Sequence, residues 1–262
     1  MINTTVNILF IADIIGTPGL NAVMKHIQRV KQEYAIDFCI ANGENGAGGK
    51  GLTYEIAQKY YSIGIDMITS GNHIFDKNAI YKYLDQDNKI IRPINYPKTV
   101  HGRGSYIAMT RDNIKIGVIN AQGRTFMYPI DCPFRMTLEE VNRIRAYTPI
   151  ILIDFHAEAT AEKVTMGHFM DGKVSAVIGT HTHVQTADET ILSNGTAYIT
   201  DVGMTGPIDS VIGLQKDVAI KRFLNQIPVR YQVADGDAMF CAVVVTIDRQ
   251  TGKAMKIIRL RY

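Results

Sequence analysis

Short apolar runs alternate with longer amphipathic stretches along most of the chain, the rhythm of a layered α/β fold in which helices cover a core of strands. The apolar runs predict strands at Val6 to Ala12, Ile36 to Ala41, Ile65 to Ser70, Ile114 to Ile119, Ile150 to Phe155, Val174 to Ile178 and Ala197 to Thr200. Helical spacing predicts helices at Leu20 to Glu33, Tyr54 to Ser62, Asn78 to Tyr83, Thr137 to Tyr147, Thr160 to Met170 and Leu214 to Asn225. In the first helix, Leu20, Val23, Met24, Ile27 and Val30 form one apolar stripe, with Lys25, Gln28, Arg29 and Lys31 on the opposite face. The rhythm changes near the end. Cys241 to Ile247 and Lys256 to Leu260 read as two strands around a turn at Asp248 to Lys253, an antiparallel hairpin closing a sheet. Between Arg92 and Thr110, Pro93, Pro97 and Gly102 to Gly104 predict a connecting loop with at most a short edge strand. No linker, repeat or charge block divides the chain, so residues 1–262 are expected to form a single domain.

The polar residues are placed systematically. Asp13 follows the first apolar run, Glu44 and Asn45 the second, and Asn72 and His73 the third. Asn120, His156 and the pair His181 and His183 follow three later ones. Ligands of α/β sheets bind beyond the carboxyl ends of the strands, so side chains scattered over the whole chain can meet there. Any one of these residues alone reads as a turn former or a helix cap. Six strands ending in carboxylate, amide or imidazole read as a metal site, because those groups together suit Mn, Fe or Zn better than calcium or a thiolate centre. They are too many for one tetrahedral ion. Two ions about 3.5 to 4 Å apart, bridged by a carboxylate and a hydroxide, would use them in displacement at phosphorus.

Composition narrows the alternatives. The 262 residues, 46% hydrophobic and 20% charged, exclude disorder and fibrous folds. A net charge of +3 gives no basic face for a long nucleic acid but permits a small anionic substrate. Cys39, Cys132 and Cys241 are far apart and read as reduced core thiols. No basic residue precedes Lys25, and Asp13 interrupts the apolar stretch Ile8 to Ile15, so neither a signal peptide nor a membrane span is expected and the protein reads as cytoplasmic. The glycine-rich Gly46 to Gly51 fails the Walker pattern, with Glu44 where glycine is required and Gly51 where Ser or Thr should follow Lys50. It reads as a flexible loop bordering the site. No G-x-S-x-G elbow and no dinucleotide fingerprint occur, which leaves serine hydrolases and dehydrogenases without support.

Asp13, Gly71-Asn72-His73, His156 and Gly179-Thr180-His181-Thr182-His183 resemble the ordered motifs of the calcineurin-like metallophosphoesterase superfamily. With Asn42-Gly43-Glu44-Asn45, Asp154 to Thr160 and Asp201 to Pro207, the chain is most similar to the bacterial YmdB-like family. The superfamily usually has His two residues after the first Asp and an Asp as bridge, where this chain has Ile15 and Glu44, the pattern of the YmdB-like subgroup. The resemblance implies a two-sheet αββα sandwich with a dinuclear metal site at the carboxyl ends of the strands. Asp13, Glu44, Asn45 and His183 would hold one ion, and Glu44, Asn72, His156 and His181 the other. His73 would be the general acid in hydrolysis of nucleoside 2′,3′-cyclic phosphates, such as 2′,3′-cyclic AMP, by a metal-bridging hydroxide with an iron or manganese pair. Competing readings are a broader phosphomonoesterase or phosphodiesterase, and a regulatory nucleotide-binding protein with little turnover. The oligomeric state is left open, a homo-oligomer included.

Weaker expectations concern the surroundings. Asp154, Glu158 and Glu162 are candidates to orient ligand imidazoles. Asn120 and Gln122 are candidate substrate contacts, and Thr205 and Gly206 belong to a turn expected to line the pocket.

Overall fold

A computed structural model describes residues 4–262. In chain order the elements are β1 (Thr5–Ile11), β2 (Asp13–Ile14), α1 (Gly16–Glu33), β3 (Phe38–Asn42), α2 (Tyr54–Ser62), β4 (Met67–Thr69), a 3-10 turn (Asn78–Ile80) and α3 (Tyr81–Gln86). β5 (Ser105–Met109), β6 (Lys115–Gln122), α4 (Pro133–Arg145), β7 (Ile151–His156), α5 (Thr160–Met170) and β8 (Ala176–Thr180) follow. The chain ends with β9 (Thr190–Ile191), β10 (Ala197–Ile199), β11 (Met204–Pro207), α6 (Lys216–Asn225), β12 (Ala238–Met239), β13 (Cys241–Asp248) and β14 (Ala254–Arg261).

Two mixed sheets carry the fold. One has the order β14-β13-β1-β3-β4 and the other β5-β6-β7-β8-β10-β9. β1, β3 and β4 are parallel, and so are β6, β7, β8 and β10, as crossovers through helices require. β13 and β14 form the expected antiparallel hairpin, and β5 is the short edge strand in the segment read as loop.

Alternation with period two sorts the side chains into layers. Ile8, Phe10 and Ile40 of the first sheet meet Val118, Leu152 and Ile178 of the second in one core between the sheets. The opposite faces are covered separately: Leu9, Ile11 and Cys39 pack with Val23 and Ile27 of α1, and Ile153, Phe155 and Val177 pack with Val141 of α4 and Met166 of α5. The central strands β1, β3, β7 and β8 are therefore apolar on both faces, which is why they read as continuous runs rather than alternating ones.

Two expectations are corrected here. Met24 is exposed, and α1 instead buries Gly16, Gly19 and Ala22 beside Val23, Ile27 and Val30. The helix lies too close to its neighbour for larger residues, since a Cβ on Gly19 would stand 2.3 Å from the Thr205 carbonyl oxygen. Thr205 and Gly206 are not in a turn. They belong to β11, paired in parallel with β2 and antiparallel with β12 in a small third sheet. Among the described residues, no helix is long and apolar enough to cross a membrane.

Candidate metal centre

Along the facing sides of the two sheets the apolar core gives way to polar residues at the carboxyl ends. Ile150, just before β7, and Leu152 within it point inward and are followed, at the same period, by Asp154 and His156, and Ile40 in β3 is followed by Asn42. Asn42, Asp154 and His156 are buried. Space for the His156 ring comes from Gly71, where a Cβ would lie 2.1 Å from His156 Cδ2.

The tautomer of His156 follows from its partners. Thr180 Oγ1 donates its only proton to Asp154 Oδ1 at 2.7 Å, so at 2.9 Å it accepts from His156 Nδ1. His156 Nε2 then faces Glu44 Oε1 at 2.9 Å, Asn72 Oδ1 at 3.1 Å and His181 Nδ1 at 2.9 Å. On His181 the other nitrogen, Nε2, meets Glu158 Oε2 at 3.1 Å. Each imidazole thus spends one N–H on an oxygen and turns its second nitrogen inward, as metal-ligating histidines do. Donor atoms of Glu44, His156 and His181 all lie within 4.8 Å of one another.

A second cluster adjoins the first. His183 Nδ1 donates to the Ile212 carbonyl at 2.9 Å, which frees Nε2. That atom is 3.3 Å from Asn45 Nδ2 and 4.0 Å from Asp13 Oδ2. Asp13 is fully buried. Its Oδ2 accepts from the His181 N–H at 3.1 Å, while Oδ1 has no hydrogen-bond partner among the described residues.

Electrostatics agree that positive charge belongs here. Burial pushes the Asp13 carboxyl well above the usual carboxylate range. Burial also opposes charge on Glu44 and His156, yet their mutual attraction prevails, holding Glu44 down to about 2 and raising His156 to about 9. Burial, reinforced by His156, lowers His181 to about 2, and burial also lowers His183. Both are therefore neutral near pH 7, the state that binds metal. Three acceptors around His156 Nε2 and an unpartnered buried carboxylate oxygen on Asp13 fit a cation better than a proton, because an acceptor left unmade in the interior costs roughly 1–3 kcal/mol. The donor set fits a borderline metal.

His73 stands at the mouth. Its backbone N–H donates to Glu44 Oε2 at 2.9 Å, and its Nδ1 lies 2.9 Å from Asp76 Oδ2. His73, Glu44, Asn45, Lys50, His181 and His183 line one cleft. The glycine-rich segment contributes Gly49 and Lys50 to it, bordering the site as expected.

Other surrounding residues act differently from expectation. Asn120 is fully buried; its Oδ1 accepts from the Ser70 N–H at 3.1 Å and its Nδ2 donates to the Asp154 carbonyl at 3.3 Å. It ties the two sheets together rather than meeting substrate, and Gln122 is fully buried as well. Thr205 Oγ1 bonds the backbone of Cys241, and a Cβ on Gly206 would press on Ile15 at 2.9 Å, so both serve packing. Glu158 and, through Thr180, Asp154 do orient imidazoles, whereas Glu162 accepts from the Arg124 and Thr125 N–H groups and holds a loop.

Sequence reasoning missed Asp76 and the buried pair of Lys163 and Asp201. Lys163 Nζ donates to the Thr180 carbonyl at 2.7 Å and to Asp201 Oδ2 at 2.5 Å. The same carboxylate accepts from the Thr182 N–H at 3.0 Å, between the two histidines. The available signal was a lysine followed at helical spacing by Met166, Gly167 and Met170, all on the buried face of α5.

The family model described as YmdB-like protein matches residues 9–260 of this chain. A 2′,3′-cyclic-nucleotide 2′-phosphodiesterase of Bacillus subtilis (strain 168) is 49% identical over 254 residues, 97% of this chain and 96% of the relative. Among solved structures, a hypothetical protein from Thermus thermophilus superposes with a TM-score of 0.91 at 37% identity, covering 98% of each chain. A novel phosphatase of Mycoplasma pneumoniae superposes with a TM-score of 0.93 at 31% identity, covering 100% of this chain and 94% of that one.

Proposed function

The chain belongs to the YmdB-like family, and from that premise we propose that it is a metallophosphoesterase of the calcineurin-like type, one domain over residues 1–262, that opens nucleoside 2′,3′-cyclic phosphates. The observation that carries this reading is the convergence of Glu44, Asn72 and His181 on His156 Nε2, next to a buried Asp13 oxygen with no partner. Asp13, Glu44, Asn45 and His183 would hold one ion, and Glu44, Asn72, His156 and His181 would hold the other, a donor set that suits iron or manganese and is compatible with zinc. When bound, the pair supplies Lewis acidity to the phosphoryl oxygens and makes an attacking water more acidic.

The remaining work falls to side chains of this protein. Asp76 occupies His73 Nδ1 and fixes the ring, which leaves Nε2 to give a proton to the departing ribose oxygen. The His73 N–H on Glu44 Oε2 ties that acid to the carboxylate between the two clusters. Glu158 and Ile212 hold the imidazoles of His181 and His183 from behind, so the donors are set before substrate arrives.

The test combines metal analysis with hydrolysis of 2′,3′-cyclic AMP by the parent, Asp13→Ala and His73→Ala. The expected result is two metals per parent chain, loss of metal in Asp13→Ala, and a loss of roughly 10²–10⁴ in kcat with metal retained in His73→Ala. Fewer than two metals per chain under metal-replete conditions would sink the dinuclear reading. Full activity of His73→Ala on this poor leaving group would remove His73 as the acid. Rates on linear diesters and on monoesters separate the proposed activity from a broader phosphatase.

A further inference from the structure

A second cleft adjoins the same centre at His181. Asn72 and His181 share it with Phe126, Met127 and Tyr128. These three residues lie in the segment after β6, whose last residue, Gln122, is in register with His156 on β7. The segment is pinned at its base: the Gly123 N–H donates to the His156 carbonyl at 3.0 Å, and the Arg124 and Thr125 N–H groups donate to Glu162. Its rings are not packed away. Phe126 is 87% exposed and Tyr128 is 62% exposed. Phe126 also has φ of 63°, in the left-handed region that costs a residue with a Cβ. Folding rewards neither feature, since the ring stays in water and the backbone is strained. Two aromatic side chains held at the edge of a phosphate-handling centre are what a planar, apolar ligand group attached to a phosphate would use.

We propose that Phe126 and Tyr128 are the base platform of this site, stacking the nucleobase of a nucleoside 2′,3′-cyclic phosphate while its phosphate lies at Asn72 and His181. The inference rests on the nucleotide reading above. Stacking on a ring face tolerates any base and favours the larger π-surface of purines. The platform therefore predicts a preference for purine over pyrimidine substrates, graded rather than absolute.

The chain contains no tryptophan, so Phe126→Trp introduces a single indole fluorophore at the platform. The probes are 2′,3′-cyclic AMP and the base-free 2,3-cyclic phosphate of methyl riboside, both with metal-loaded protein. Phe126→Ala and Tyr128→Ala should each lower kcat/KM for 2′,3′-cyclic AMP by roughly tenfold or more, mainly through KM, and leave the base-free probe unchanged. In Phe126→Trp, the adenine compound should quench the indole and the base-free one should not. Equal losses on both probes, no loss on either, or no quenching by the adenine compound would overturn the platform. Quenching without turnover by the parent would remove the phosphodiesterase reading and leave the platform standing. Turnover of 2′,3′-cyclic AMP without base-dependent losses would do the reverse.

Discussion

Lys163→Met is expected to destabilise the protein and loosen the centre at once. The substitution keeps the apolar stem of the side chain and removes the ammonium that bonds Thr180 and Asp201. Lys163 is 1% exposed and Asp201 is fully buried, so no water replaces the lost partner. Breaking a buried pair from one side costs roughly 3–5 kcal/mol, because a charge remains in the interior uncompensated. At about 2–4 °C per kcal/mol for a chain of this size, the melting temperature should fall by roughly 6–20 °C. Asp201 also holds the Thr182 N–H, and the histidines on either side have φ of 103° for His181 and 65° for His183. Such left-handed backbone persists only where neighbours enforce it, so metal content should fall as well. The assay is thermal unfolding with and without chelator, with metal counted in the same preparations. Pairing the change with Asp201→Asn should restore part of the loss, since the stranded charge goes with it. A melting temperature within about 2 °C of the parent, or a double variant that loses the sum of the singles, would refute this account; the former bound follows from roughly 1 kcal/mol.

Two further outcomes follow from burial. Burial raises the Cys39 thiol to about 12 and the Cys241 thiol to about 11, so both stay protonated at pH 8, whereas Cys132 is only half-buried. A chromogenic disulfide should therefore titrate one thiol rapidly in native protein and three in denaturant, and rapid reaction of two or three native thiols would contradict the packing. Gly71→Ala would set a methyl group 2.1 Å from His156 Cδ2, and His156 is fixed from behind by Thr180. It should abolish metal binding at the His156 cluster, measured by metal analysis, while far-ultraviolet circular dichroism remains that of the parent.

The core strands and most helices were legible because a strand buried on both faces is an unbroken apolar run, and α5 was delimited at Thr160 and Met170 from sequence. The convergent residues were legible for a related reason: Asp13, His156 and His181 interrupt or terminate such runs at the end where α/β sheets bind ligands. What escaped was long-range pairing. β2, β9, β11 and β12 are two to four residues each and have no periodicity of their own, so Thr205 and Gly206 read as a turn. Asn120 misled because a polar residue at a strand end signals a ligand and a staple between sheets equally well. Met24 has helical spacing, but that spacing cannot reveal that β11 lies against Gly19 on the adjoining face. Lys163 was invisible because its partner Asp201 is 38 residues away.

The two sheets have a consequence for when the centre exists. Asp13, Glu44, Asn45 and Asn72 follow strands of one sheet, and His156, His181 and His183 belong to or follow strands of the other. The first sheet cannot be finished early, because β1 lies between β3 and β13, and β13 is made near the end of synthesis. A nascent chain that has already formed its second sheet would still lack four of these seven candidate donors in their final positions. In the proposed metal centre, acquisition of metal would thereby be tied to docking of the last hairpin, and an ion bound at full strength would certify a finished molecule rather than a partly folded one.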